Sequence, residues 1–338
     1  MKPIVLAAAL VAAVLAAPAL ANDSTAELAA GGLVLTTTDA IEMKSEDLFI
    51  SQGEVWVKYR FLNSSGKDVT TRVAFPMPDI GGDSFPYQDS SIPNRTDPAN
   101  LLGFKTTVDG KPVRMAVEQK VFAKGVDRTA WLTKRGMPLG PHLADIDDRL
   151  ETLSMADKEE AVKLGLVVPN EMDDSKPWMV RVLPVWTLKT TFHWEQTFPA
   201  GREIVVEHRY RPAVGGSAGT VIGAPGFMAL PEWKAMRNAY CIDTQFLDAV
   251  KAAQGTQEYS PFFEARIAYI LKTGGNWAKP IGDFRMVIDK GSAKHLVSFC
   301  GSDVKKIGPT RFEMRKTNWR PTRDLNVLIL KPIEMEPE

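Results

Sequence analysis

The sequence predicts a mainly β protein with helical insertions, a β-sandwich followed by a smaller α+β part. Three observations predict it. Apolar and polar residues alternate with a period of two over many short stretches, the pattern of half-buried strands. Turn signals rich in Gly, Pro, Asn and Asp separate those stretches, as in a two-sheet sandwich. Around residue 145 and again beyond residue 216, the apolar spacing shifts toward the three-and-four pattern of helices.

Residues 1–21 combine Lys2, an apolar run from Ile4 to Ala17 and the triplet Ala19-Leu20-Ala21. Charge, apolar core and small-x-small site in that order make a secretory signal, short for a membrane span. An uncleaved anchor is the rival reading. The mature chain is expected to start at Asn22, periplasmic or secreted, with no transmembrane segment after signal cleavage. Leu33-Val34-Leu35 opens a short strand, and Ile41 and Met43 alternate with Glu42 and Lys44. Val55, Val57, Tyr59 and Phe61 share one face. Asn63-Ser64-Ser65-Gly66 makes a turn and Val69, Thr71, Val73 and Phe75 return, which predicts a hairpin. Residues 81–100 read as a loop. Phe104, Thr106 and Val108, the turn Asp109-Gly110, then Val113, Met115 and Val117 predict another hairpin.

Residues 138–170 read as a helical insertion. Leu143, Ile146, Leu150 and Leu153 follow helical spacing, and Ser154 with Asp157 looks like the N-cap of a second helix that ends near Gly165. The stretch 191–216 carries Phe192, Trp194, Gln196 and Phe198 on one arm. Ile204, Val206, His208 and Tyr210 follow on the next, across Pro199-Ala200-Gly201. This too predicts a hairpin, ended by Arg211-Pro212 and Gly215-Gly216. The sandwich is assigned to residues 22–215, and residues 216–338 to an α+β part with two helices and about four strands. Asp243 or Thr244 begins the first helix, Ser260-Pro261 is read as the start of a second over 262–272, and strands follow near 284–288, 296–300, 312–314 and 325–330.

Lysine plus arginine and aspartate plus glutamate both number 41, so no net field draws in nucleic acid. The hydrophobic content of 44% is that of a folded protein. Cys241 and Cys300 are expected to pair in an oxidising compartment. The histidines at 142, 193, 208 and 295 have no zinc-motif spacing, and no Gly-x-Ser-x-Gly turn occurs, so no catalytic residue, metal or cofactor is assigned. Asp145, Asp147 and Asp148 read as a solvated helix face, because no oxygen-rich loop of calcium-site spacing accompanies them.

Tryptophans recur at 178, 186, 194, 233, 277 and 319, and exposed aromatics stack on sugars or anchor partner proteins. Trp194, His208, Tyr210, Trp277 and Trp319 are the candidate binding residues, with core packing as the competing explanation. The expected function is an exported, non-enzymatic binding or adaptor module acting through aromatic-bearing loops. Its partner would be an unidentified envelope protein or polysaccharide. A hydrolase of cell-envelope polymers and a structural subunit of an envelope complex are the rival classes.

Several phrases together carry a resemblance: NDSTAELAAGGLVLT, IEMKSEDLFIS, VAFPMPDI, FPAGREIVVEHRYRPAVGG, NWAKPIGDFRMVIDKG and NWRPTRDLNVLIL. With them the chain resembles a family of exported bacterial proteins catalogued as domain of unknown function 4424, over nearly the whole mature sequence. The resemblance implies a bacterial, periplasmic protein and brings no catalytic residues. Residues 55–212 are also similar to the vault/inter-α-trypsin-inhibitor β-sandwich module. The shared features are Tyr59-x-Phe61, Phe75-Pro76-Met77-Pro78, Val108-Asp109-Gly110, Pro199-Ala200-Gly201 and Tyr210. The chain departs from that module in its 81–100 loop and its helical insertion.

Overall fold

The computed structural model describes residues 24–29, 32–81, 89–170, 181–217, 219–255 and 260–333; the expected signal and Trp178 lie outside them. Strands β1 (Ser24–Ala29), β2 (Gly32–Thr36), β3 (Ile41–Ile50), β4 (Val55–Asn63), β5 (Val69–Pro76), β6 (Ile80–Gly81) and β7 (Asp89–Ser91) come first. Then follow β8 (Lys105–Val108), β9 (Lys111–Pro112), β10 (Ala116–Ala123) and β11 (Val126–Asp127). Helices α1 (Thr129–Lys134), α2 (Ile146–Glu151) and α3 (Met155–Leu164) form the insertion. Next are β12 (Val167–Pro169), β13 (Val182–Pro184), β14 (Thr187–Phe198), β15 (Glu203–Tyr210) and β16 (Val214–Ser217). Helices α4 (Pro225–Met228), α5 (Pro231–Tyr240) and α6 (Thr244–Gln254) precede β17 (Phe262–Tyr269) and a 3-10 turn at Lys272–Asn276. The chain closes with β18 (Ile281–Asp289), β19 (Leu296–Phe299), β20 (Lys305–Lys306), β21 (Arg311–Trp319) and β22 (Leu325–Pro332).

These strands make three main sheets and one short pair, β12-β13. One sheet runs β11-β10-β14-β5-β1-β2, with β6 also on β14; the largest runs β20-β21-β18-β3-β4-β15-β8-β9; the third runs β19-β22-β17-β16-β7. The fold is therefore mainly β with helical insertions. Residues on either side of position 215 share the eight-stranded sheet, because β18 pairs in parallel with β3.

The alternating faces are buried as the sequence requires. Val55, Val57, Tyr59 and Phe61 are all inside, and so are Ile204, Val206, His208 and Tyr210. The pairing differs from the two expected hairpins. β4 pairs with β3 and β15, whereas β5 pairs with β14 and β1. Likewise β14 and β15 lie in different sheets. The turns at 63–66 and 199–201 each carry the chain from one sheet to the facing one. Asn63 locks the two crossings together. Its buried amide donates to the carbonyls of Lys67 and Phe198, both at 2.8 Å, while Gly201 N–H donates to the Asn63 carbonyl at 3.0 Å.

The Asp109-Gly110 turn is a true two-residue hairpin, with φ of 48° and 76° as such a turn requires. Its return arm is only Lys111–Pro112, however, and Val117 belongs to β10 in the other sheet. Part of the expected 81–100 loop is β7, which pairs with β16. Gly215-Gly216, read as the end of a ladder, is therefore itself in a strand.

In the insertion, Ser154 caps α3 by accepting from Asp157 N–H, and Gly165 ends it in the left-handed conformation. Asp243 caps α6 in the same way, through Phe246 N–H. The expected helix over 262–272 is the strand β17. Ala265, Ile267 and Tyr269 face the main core and alternate with Glu264, Arg266 and Ala268, the period of two of a strand, while Phe262 packs into a second core. That second core packs Ile222, Trp233, Ile242, Phe246 and Val250 of the α4–α6 segment against Phe262, Leu328 and Leu330. Cys241, just after α5, and Cys300, just after β19, form a disulfide with Cα atoms 5.0 Å apart.

Candidate binding cleft

The residues singled out from the sequence do not form a surface. Four of the five are in the core, Trp194, His208 and Tyr210 on strands and Trp277 in the connection before β18. His208 is fully buried, with Nδ1 2.9 Å from Thr106 Oγ1. Its ring is surrounded by Phe75, Phe104, Tyr59 and Trp194 at centroid distances of 4.7–5.8 Å. Trp194 and Trp277 are buried as well, Trp277 lying 4.4 Å from Phe61. Trp319 is half-buried at the end of β21, 4.5 Å from Phe284. Trp194, His208 and Tyr210 sit on inward-facing strand positions and Trp277 packs inward from the connection before β18, so these side chains fill the core. This corrects the expectation of aromatic-bearing loops.

Tyr210 is buried beside Phe75 and Phe104, and among the described residues its hydroxyl has no hydrogen-bond partner. Burial pushes its pKa well above the ordinary tyrosine value. A buried unsatisfied hydroxyl costs about 1–3 kcal/mol. Tyr210→Phe is therefore expected to raise stability by about 1 kcal/mol. A lower midpoint in denaturant unfolding would contradict this.

The cleft of about 530 Å³ lies where the 92–104 segment meets the helical insertion. Its lining includes Arg95, Thr96 and Pro98 from one side and Gly136, Met137, Pro138, Leu143, Ala144, Asp145 and Arg149 from the other. The volume is in the range of small-molecule sites. Met137 and Leu143 form a buried apolar floor, while Arg95, Asp145 and Arg149 are exposed at the rim.

Both walls are held from behind by hydrogen bonds. In the 92–104 segment, Asn100 donates from Nδ2 to the Phe104 carbonyl at 3.1 Å and accepts from Phe104 N–H at 2.7 Å. Asp97 Oδ1 accepts from the N–H groups of Ala99 and Asn100, both at 3.1 Å, and Gln119 Nε2 donates to the Pro98 carbonyl at 2.8 Å. On the insertion side, Trp186 is fully buried and its indole N–H donates to the Leu139 carbonyl at 2.8 Å. Gly81 (φ 91°) lets the chain pass beneath this strap, since a Cβ there would lie 2.4 Å from the Trp186 carbonyl oxygen. The walls are joined by Ala144 N–H donating to the Arg95 carbonyl at 3.0 Å. The cleft is thus built in advance of any occupant.

Its electrostatics are asymmetric. Arg149 Nε lies 3.1 Å from Asp145 Oδ2, one turn away on α2. Arg95 Nε donates to the His142 carbonyl at 2.7 Å, and among the described residues no carboxylate lies within ion-pair distance of its guanidinium. His142, 7% exposed, has its pKa lowered to about 4 by burial first and by the Arg95 charge second. At neutral pH that imidazole is uncharged, and the rim keeps one positive charge without a carboxylate partner. Among the described residues no group of three or more His, Cys, Asp or Glu side chains is gathered as a metal ion would need. Asp147 and Asp148 stand exposed in the first turn of α2. The cleft residues carry no periodic signal. The one clue to an ordered segment was the Asn94, Asp97 and Asn100 series, residues whose side chains close local turns.

Fold and cleft together define a multi-sheet β protein with a small preformed cleft under a helical insertion. The chain belongs to the family described as Domain of unknown function (DUF4424), matched over residues 21–328. No curated protein matches it. Among solved structures it is similar to a putative nutrient binding protein from Legionella pneumophila subsp. pneumophila str. Philadelphia 1. The identity is 13% and the TM-score 0.41, with 92% of this chain and 70% of that chain covered. No helix among the described residues is long and apolar enough to cross a membrane.

Proposed function

We propose that this protein is an exported, non-enzymatic binding module of the bacterial envelope, and that it takes a small ligand in the cleft beneath the helical insertion. The observation that carries the reading is the prebuilt cleft, whose two walls are held by part-buried side-chain and main-chain hydrogen bonds before anything binds. A preorganised site loses little ordering entropy on binding. Its lining supports binding over catalysis. The one carboxylate there, Asp145, is engaged by Arg149, and no nucleophile–base pair faces it. Its size favours a small molecule over a polymer or a protein surface, both of which need a longer track. The N-terminal run of Lys2, apolar residues and Ala19-Leu20-Ala21 supports export.

The test is purification of the full-length gene product from its native host, followed by mass spectrometry of the small molecules that come with it. A compound retained by the wild type and depleted in Ala144→Trp, which fills the cleft from an exposed position, is the expected result. Identical small-molecule profiles for the two proteins would count against the cleft. Amino-terminal sequencing of the same material should begin at Asn22.

A further inference from the structure

We propose, on the basis of that cleft reading, that the occupant is a small monocarboxylate on an apolar body, with its carboxylate held end-on by Arg95. Three features of the cleft lead there. The first is charge: two guanidiniums and one carboxylate line the rim, and the carboxylate lies on Arg149, so a single positive charge at Arg95 is left for a ligand. One carboxylate matches that charge, whereas a phosphate dianion would be half neutralised.

The second is orientation. Arg95 Nε is occupied by the His142 carbonyl, which fixes the guanidinium plane and leaves the Nη1–Nη2 edge as its unused fork. Two parallel N–H donors on that edge suit the two oxygens of a carboxylate. The third is the floor. Met137, Leu143 and Pro138 offer apolar surface beside the fork, so a ligand with a carbon chain or ring next to its carboxylate buries that body as the ion pair forms. His142 is uncharged at neutral pH and adds no competing cation. Neutral sugars do not use the charge, and ammonium compounds oppose it.

The test uses the full chain with octanoate, octanol and octylamine as an anionic, neutral and cationic series on one body. Binding is read from the methyl resonance of labelled Met137 on the cleft floor and by calorimetry. Octanoate is expected to shift Met137 and to bind at least about tenfold more tightly than octanol, with octylamine silent. Arg95→Gln should remove about tenfold or more of that affinity. Replacing both members of the other pair, Asp145→Asn with Arg149→Gln, leaves the net charge unchanged and should change it less. Arg95→Lys, which keeps the charge and loses the fork, should fall between wild type and Arg95→Gln. Both Arg95 substitutions are at an exposed position, and unchanged thermal unfolding will show that the fold is intact.

Equal binding of octanoate and octanol, undiminished in Arg95→Gln, would overturn the carboxylate assignment and leave the cleft reading standing. No response of Met137 to octanoate at millimolar concentration would also overturn it; the cleft itself is judged separately by the compounds lost in Ala144→Trp.

Discussion

Replacing Cys241 and Cys300 together by serine is expected to lower the stability of this protein by about 4 kcal/mol. The two cysteines are 59 residues apart, and in the chain-entropy description a cross-link around a loop of that length restricts the unfolded chain by about that amount. The native state adds a local reason. The bond fastens the end of α5 to the end of β19, the rim of the five-stranded sheet. Arg323 reinforces it by donating to the Asn238 carbonyl at 2.7 Å. The 219–255 segment covers the Phe262, Leu328 and Leu330 face through a small cluster of Ile222, Trp233, Ile242, Phe246 and Val250, separate from the main core. Limited proteolysis of the double variant should therefore cut first within 219–255, while β3, β4 and β15 stay protected. Unchanged unfolding free energy, or first cleavage in the eight-stranded sheet, would refute the role given to the bond.

Acidification is expected to weaken the fold through His142, by about 3 kcal/mol between pH 6.5 and 4. In the folded protein this imidazole takes up its proton only near pH 4, because burial and the neighbouring Arg95 charge disfavour the imidazolium. In the unfolded chain it does so near 6.5. Between those values the unfolded state holds more protons, so folding becomes less favourable as the pH falls. The contribution is complete above 6.5 and lost on approaching 4. Denaturant unfolding at pH 7, 5.5 and 4 in wild type and His142→Asn checks it. The variant should show a shallower dependence, since other acid-sensitive groups remain in both proteins. Parallel curves would rule His142 out. The same histidine lies behind Arg95, so the pH range that strains the fold also adds a charge at the back of the cleft.

How far the fold could be read in advance depends on which interaction decides each feature. Local chemistry decided the caps, and these were legible. Ser154 with Asp157, Gly165 at the end of α3, and Asp243 before α6 each act on a backbone group within four residues. The disulfide was legible because only two thiols were present. Trp194, His208 and Tyr210 alternate with polar neighbours along their strands, and that alternation is itself the mark of an inward face rather than of a binding surface. The cleft was out of reach. Arg95 and Arg149 are brought together by the 92–104 segment folding against an insertion that follows β8 to β11.

The sequence by itself determined which side of each strand is buried. Val55 to Phe61 and Ile204 to Tyr210 point inward because a period of two places alternate residues on one face, whatever the strand's neighbour. Only the tertiary structure decided the partners. Both β4–β5 and β14–β15 look like hairpins in sequence, since a turn that folds back within a sheet and one that crosses to the facing sheet leave the same alternating pattern around it. The crossing is selected by contacts far away in the chain. β4 is held by β15, β5 by β14, and Asn63 bonds to the carbonyl of Phe198, 135 residues on. β17 shows the same principle, since Ser260-Pro261 reads locally as a helix start whereas the ladder to β22 holds the segment as a strand.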